Sequence, residues 1–183
     1  MALFDTQLGV LANQASTYMT TGKIPRRMGN SHPVIVPYQV FEVKDGSIVI
    51  ACGNDNQFEK MCNSLNLSFH LNEHYKTNQL RVENRQKLIP KIKQCLKKYG
   101  KEDVLLRLEK AGVPAGPINN VKEALEDKQS IARNMKMKSK TGYYLNSPIK
   151  FNNLSLADNT HSPQLGEDTE KIKQKIKEGF FLA

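Results

Sequence analysis

Tryptophan is absent from this 183-residue chain, and aromatic residues make up only 7% of it. They are scattered rather than interleaved with basic residues, which excludes a base-stacking stripe for single-stranded nucleic acid. Cysteine is sparse, at three residues (Cys52, Cys62 and Cys95). The odd number and the lack of a C-x-x-C pair leave neither a disulfide framework nor a zinc knuckle, and a reducing cytoplasm is expected. Long hydrophobic runs are missing too. Residues 34–36 and 48–52 are the longest apolar stretches, far short of the ~18 residues of a membrane span. The opening residues carry no basic n-region, and Asp5 and Gln7 interrupt the apolar run, so no signal peptide is expected. Glycine (11) and proline (8) are too few for a collagen-like or low-complexity chain. Negative charge is the minority, with 18 acidic against 27 basic residues and a net charge of +9. Such a balance favours anionic partners. The lysines of 91–98 and 171–177, however, alternate with apolar residues at helical spacing. They read as solvated helix faces, so neither nucleic acid nor membrane is expected as a partner.

Familiar catalytic motifs are missing as well. There is no G-x-S-x-G, no G-x-G-x-x-G and no G-x-x-x-x-G-K-[ST]. His70 and His74 have i, i+4 spacing, but Glu73 does not complete H-E-x-x-H, and no metal site is expected.

What is present is a sequence of short elements. Residues 3–19 carry apolar positions near a 3.6 period and predict one helix, stopped at Gly22 with Pro25 beyond. Residues 23–38 hold three prolines and a Gly-Asn pair and predict a long loop, a kind of segment that is usually functional. Two β-rich runs, 38–43 and 47–52, joined by Asp45-Gly46, predict a hairpin. Asn54 or Asp55 is set to cap the next helix. Further helices are predicted over 78–99 and 101–111, with Gly100 between them as a C-cap. An extended segment follows at 113–119, then a helix capped by Asn119 or Asn120 and running through Ala124 and Ile131. Strands around Gly142 and a last helix over 167–177 complete the chain. Helices, a hairpin, more helices, then strands argue for an α+β fold rather than alternating βαβ units.

Two segments spend glycine and proline on backbone shape while bringing few titratable groups: 27–39 and 111–119. Taken with their neighbours, they resemble the family III CoA-transferases, which include carnitine and bile-acid CoA-transferases, formyl-CoA transferase and α-methylacyl-CoA racemases. The matching pieces include Thr21-Gly22-Lys23-Ile24-Pro25, Gly29-Asn30-Ser31-His32-Pro33 and Val36-Pro37-Tyr38-Gln39-Val40-Phe41. Gly53-Asn54-Asp55-Asn56-Gln57-Phe58, Arg81-Val82-Glu83-Asn84-Arg85, Gly112-Val113-Pro114-Ala115-Gly116-Pro117 and Leu165-Gly166-Glu167-Asp168-Thr169 follow in order.

The resemblance covers the C-terminal half of a family protein. It implies a connecting helix at 1–22, a small mixed α/β domain at 23–150, and a return segment with a C-terminal helix at 151–183. It also implies that the Rossmann-like half, with the CoA site and the nucleophilic aspartate, lies upstream. Asp5 and Asp55 match other family positions, so no catalytic residue is expected in this chain. In the family, that aspartate attacks the acyl-CoA thioester to give a mixed anhydride, and the returning thiolate makes an aspartyl-CoA thioester. The acceptor acid then takes the CoA. A chain without the aspartate is expected to be inactive alone, with no covalently bound cofactor. The coenzyme A thioester and a carboxylic acid are substrates of the parent enzyme. The family's interlocked dimers imply a homodimer or self-association through residues 1–20.

Gly29, Asn30, His32 and Pro33 lie where formyl-CoA transferase carries a glycine flap, and here they resemble the dicarboxylate-type transferases more. His32 either touches substrate or caps its own loop. Other readings are a non-catalytic partner module docking on a separate N-terminal half, a racemase fragment, and a basic nucleic-acid-binding domain. The racemase is disfavoured because its His/Asp pair would also lie upstream.

Overall fold

The computed structural model describes residues 2–139, 141–150, 152 and 162–179. They form two compact units, residues 1–118 and 119–183.

The first unit opens with α1 (Leu3–Val10) and α2 (Ala12–Thr21) rather than one helix. The break falls at Ala12, whose φ is +41°. Neither helix has a side-chain cap at its N-terminus or a buried residue. Gly9 and β-branched Val10 are poor helix formers, and no packing overrides them. Gly22 ends α2 in the left-handed region, as its position predicts, and its N–H donates to the Tyr18 carbonyl at 2.8 Å.

The core is built on a three-stranded antiparallel sheet. β1 (Tyr38–Val43) pairs with β2 (Gly46–Ala51), so the hairpin is the one expected, with Lys44-Asp45 as its loop. β3 (Ala115–Pro117) adds to the other side of β2, giving the order β1-β2-β3. Alternation sends Gln39, Phe41 and Val43 of β1 and Ile48 and Ile50 of β2 into the interior. Three helices cover that face. α3 (Asp55–Ser64) contributes Phe58, Met61 and Cys62. α5 (Arg85–Leu96) contributes Leu88, Ile92 and Leu96, and α6 (Lys101–Lys110) contributes Val104 and Leu108. Each such side chain is worth about 1.5–3 kcal/mol on leaving water.

The expected helix over 78–99 is divided. α4 (Asn78–Glu83) ends at Asn84, and α5 begins after it. The Asn84 amide donates to the Leu80 carbonyl at 3.0 Å, so its side chain competes with the helical ladder. Gly100 is also not a C-cap. With φ −74° and ψ 155° it is the N-cap of α6, and Asp45 in the hairpin loop accepts from the Lys101 N–H at 2.6 Å. Asn54 caps α3 through the Gln57 N–H at 2.9 Å.

The second unit has no buried residue among those described. It contains α7 (Val121–Glu126), capped by Asn120 in a capping box with Glu123. The expected continuation to Ile131 is broken at Asp127. Its carboxylate accepts from the Gln129 N–H at 2.8 Å and starts α8 (Lys128–Ala132). β4 (Lys136–Lys138) and β5 (Tyr143–Leu145) make the strands expected near Gly142. The last helix, α9, spans Thr169–Lys177. Residues 153–161, most of the expected return segment, lie outside the described residues.

Candidate functional site

Between α2 and β1 the chain runs from 22 to 37 without regular structure. Its backbone polar groups therefore need partners from elsewhere. Side chains supply them. The Asn78 amide works as a strand would, donating to the Val34 carbonyl at 2.7 Å and accepting from the Val36 N–H at 3.0 Å. Arg81 Nε donates to the Val36 carbonyl at 2.7 Å. Arg85 Nη2 donates to the carbonyls of His32 (2.7 Å) and Pro33 (2.9 Å). Asn30 Oδ1 accepts from the Val40 N–H at 3.1 Å and ties the loop to β1. The Val36–Pro37 peptide bond is cis.

Arg81 is the anchor of this arrangement. Its side chain is fully buried, yet every arm is used. Nη1 donates to the carbonyls of Tyr75 (3.1 Å) and Lys76 (3.3 Å), and Nη2 donates to Asp55 Oδ1 at 2.8 Å. The guanidinium lies 4.4 Å from the centroid of the Phe58 ring. Asp55 is thus an ion-pair partner at the start of α3. Arg85 is less complete. Nη1 is shielded from solvent with no hydrogen-bond partner among the described residues, and burial pulls the arginine pKa below its ordinary value.

The four residues singled out in the sequence are brought together on this framework. Gly29 turns the chain at φ +62°, a conformation that favours glycine. Asn30 is spent on β1, and Pro33 presents its carbonyl to Arg85. His32 is held from three sides. Its N–H donates to the Tyr38 carbonyl at 2.8 Å, its ring stacks on Tyr38 with centroids 5.2 Å apart, and its Nδ1 accepts from the Val34 N–H at 3.2 Å. The histidine does cap its own loop, and Nε2 is left over.

Sequence reasoning noted Arg81 and Arg85 only as parts of a matching motif, and residue 78 as the start of an expected helix. Their offsets of three and four are those of one helical side, which was the available signal, although Asn84 divides them between α4 and α5. A groove of about 380 Å³ lies between α2 and the loop, lined by Thr17, Lys23, Arg26, Gly29 and Ser31 among others. A more apolar one of about 560 Å³ is lined by Leu11, Ala15, Tyr18, Met19, Ile24 and Pro25. Among the described residues no three metal-ligating side chains cluster, and no helix is long and apolar enough to cross a membrane.

Comparison with known proteins places this arrangement. The chain is 36% identical over 183 residues to succinate–glutarate CoA-transferase from Agrobacterium fabrum, covering 97% of this chain and 46% of that protein. It is 33% identical over 180 residues to human succinyl-CoA:glutarate CoA-transferase, covering 95% of this chain and 41% of that protein. A crystal structure of a CAIB/BAIF family protein from Brucella suis superposes with a TM-score of 0.83 at 44% identity, over 96% of this chain and 47% of that one. The chain thus spans about half the length of the relatives it matches. The sequence profile of CoA-transferase family III matches residues 1–169, and the chain belongs to that family.

Proposed function

We propose that this chain is the C-terminal portion of an acyl-CoA:carboxylate CoA-transferase, with the nucleophilic aspartate and the CoA site supplied by residues outside these 183. The carrying observation is the loop 28–37, which is shaped by Asn78, Arg81 and Arg85 rather than by regular structure. A loop braced so heavily, in a segment that carries Lys23, Arg26 and Arg27, suits closure over an anionic acyl group or acceptor acid. The relatives act on succinate and glutarate by name, so dicarboxylates are the first substrates to try. Gly29, Asn30, His32 and Pro33 form the substrate-facing segment in this reading, and a coenzyme A thioester is the co-substrate.

A partner surface favours the same reading. Leu3 is 90% exposed, Met19 77% and Phe4 73%, apolar side chains that α1 and α2 leave in water. A second copy, or a separately encoded N-terminal half, would cover them. Cytoplasmic residence fits the two buried, unpaired thiols of Cys52 and Cys62.

The test is CoA exchange. The purified chain is incubated with succinyl-CoA and a panel of acids, alone and with a family N-terminal half. No turnover alone and turnover on recombination is the expected result. Turnover by the chain alone would refute the division of labour and direct attention to Asp5 and Asp55. No turnover in either case would refute the transferase reading.

A further inference from the structure

His32 has two ring nitrogens, and the structure gives them different jobs. Nδ1 points at the Val34 N–H, 3.2 Å away, and can receive it only with a lone pair. A neutral imidazole that accepts at Nδ1 carries its proton at Nε2. Among the described residues Nε2 has no partner. The ring cannot swing freely to hide it, because one face stacks on Tyr38 at an interplanar angle of 13°. The backbone beneath is fixed at both polar atoms, by Tyr38 at the N–H and by Arg85 at the carbonyl. Residues 23–37 contain no acidic side chain and three cations, Lys23, Arg26 and Arg27. The segment that presents this N–H donor therefore carries net positive charge, which favours an anionic acceptor.

We propose that His32, with Nδ1 engaged by the Val34 N–H, presents Nε2–H as a donor, and that this donor binds a carboxylate oxygen of the acceptor acid. The inference rests on the transferase reading above. It assigns His32 a binding role and excludes it as a general base, since Nε2 already bears the proton and protonating Nδ1 would break the Val34 bond. Tyr38 and Arg85 are positioning residues that act through it.

Two measurements test this. Long-range nitrogen–proton NMR on the 183-residue chain reads the tautomer directly, with a pyrrole-type Nε2 and a pyridine-type Nδ1 expected. The reverse assignment overturns the proposal. Kinetics use the chain recombined with a family N-terminal half, with glutarate as acceptor. H32F keeps the ring on Tyr38 but has no donor, and H32Q restores an N–H. A lost donor to a charged oxygen weakens binding on the order of ten- to a hundredfold. H32F should raise the KM for glutarate by that factor, with a smaller effect on the KM for succinyl-CoA. H32Q should return it to within a few-fold. An unchanged KM in H32F, or equal damage in both variants with folding intact by nitrogen–proton correlation spectra, overturns the donor role alone. An inactive wild-type recombinant overturns both this inference and the transferase reading.

Discussion

Replacing Arg81 by methionine tests whether the loop is held from the core. Methionine fills much of the same volume but donates nothing. The Val36 and Tyr75 carbonyls, in residues 1% and 4% exposed, would each lose a donor. An orphaned buried acceptor costs about 1–3 kcal/mol. The cation over Phe58 adds up to ~2 kcal/mol when desolvated. Two effects offset these losses. The guanidinium no longer has to be desolvated, and Asp55, 53% exposed, rehydrates at little cost. The net loss is about 3 kcal/mol, a factor of roughly 150 in the folding equilibrium. Urea unfolding followed by circular dichroism reads it. Hydrogen exchange should show the amides of residues 32–40 opening first, because Val36 is where Arg81 grips the loop. Asp55→Asn keeps an oxygen acceptor and should cost only about 1 kcal/mol. A loss below ~1 kcal/mol in R81M, with exchange in 32–40 unchanged, would refute the reasoning.

Asn78→Ala removes both bonds to Val34 and Val36. About 2 kcal/mol is expected, with proteolytic nicking of the loop rising before global unfolding. Burial pushes the Cys52 thiol up to about 12 and the Cys62 thiol up to about 11, so both should resist alkylation at pH 8 while the partly exposed Cys95 reacts. The sign follows: unfolded thiols ionise near the ordinary 9.0 while the folded ones stay neutral. Stability should hold below pH 9 and fall as the pH rises from there toward 11. A pH-independent melting temperature from 8 to 11 would contradict it. Phe4→Ser with Met19→Ser should lower self-association of the chain in sedimentation velocity without altering its circular dichroism, since neither side chain is buried.

Elements that carry their own punctuation were legible from residues alone. Asp45-Gly46 located the hairpin, Asn54 or Asp55 the start of α3, Asn119 or Asn120 that of α7, and Gly22 the end of α2. Each effect is local, a side chain bonding a backbone group three residues away or a glycine adopting positive φ. The breaks at Ala12, Asn84 and Asp127 were not legible. Apolar spacing continues through all three; at Asn84 and Asp127 a side chain bonds the backbone in place of the helical ladder, and at Ala12 no packing holds the helix together.

The functional loop divides the same way. Its prolines, Gly29 and lack of periodicity marked residues 23–38 as irregular and worth notice, and the order of motifs marked the family. What the sequence could not show is how an irregular backbone is held. That took Asn78, Arg81 and Arg85, more than 40 residues downstream, reaching the loop from α4 and from the first residue of α5. The orientation of His32 was decided there too. The sequence does not say which ring nitrogen is engaged, and only the fold, by aiming the Val34 N–H at Nδ1, leaves Nε2 to act.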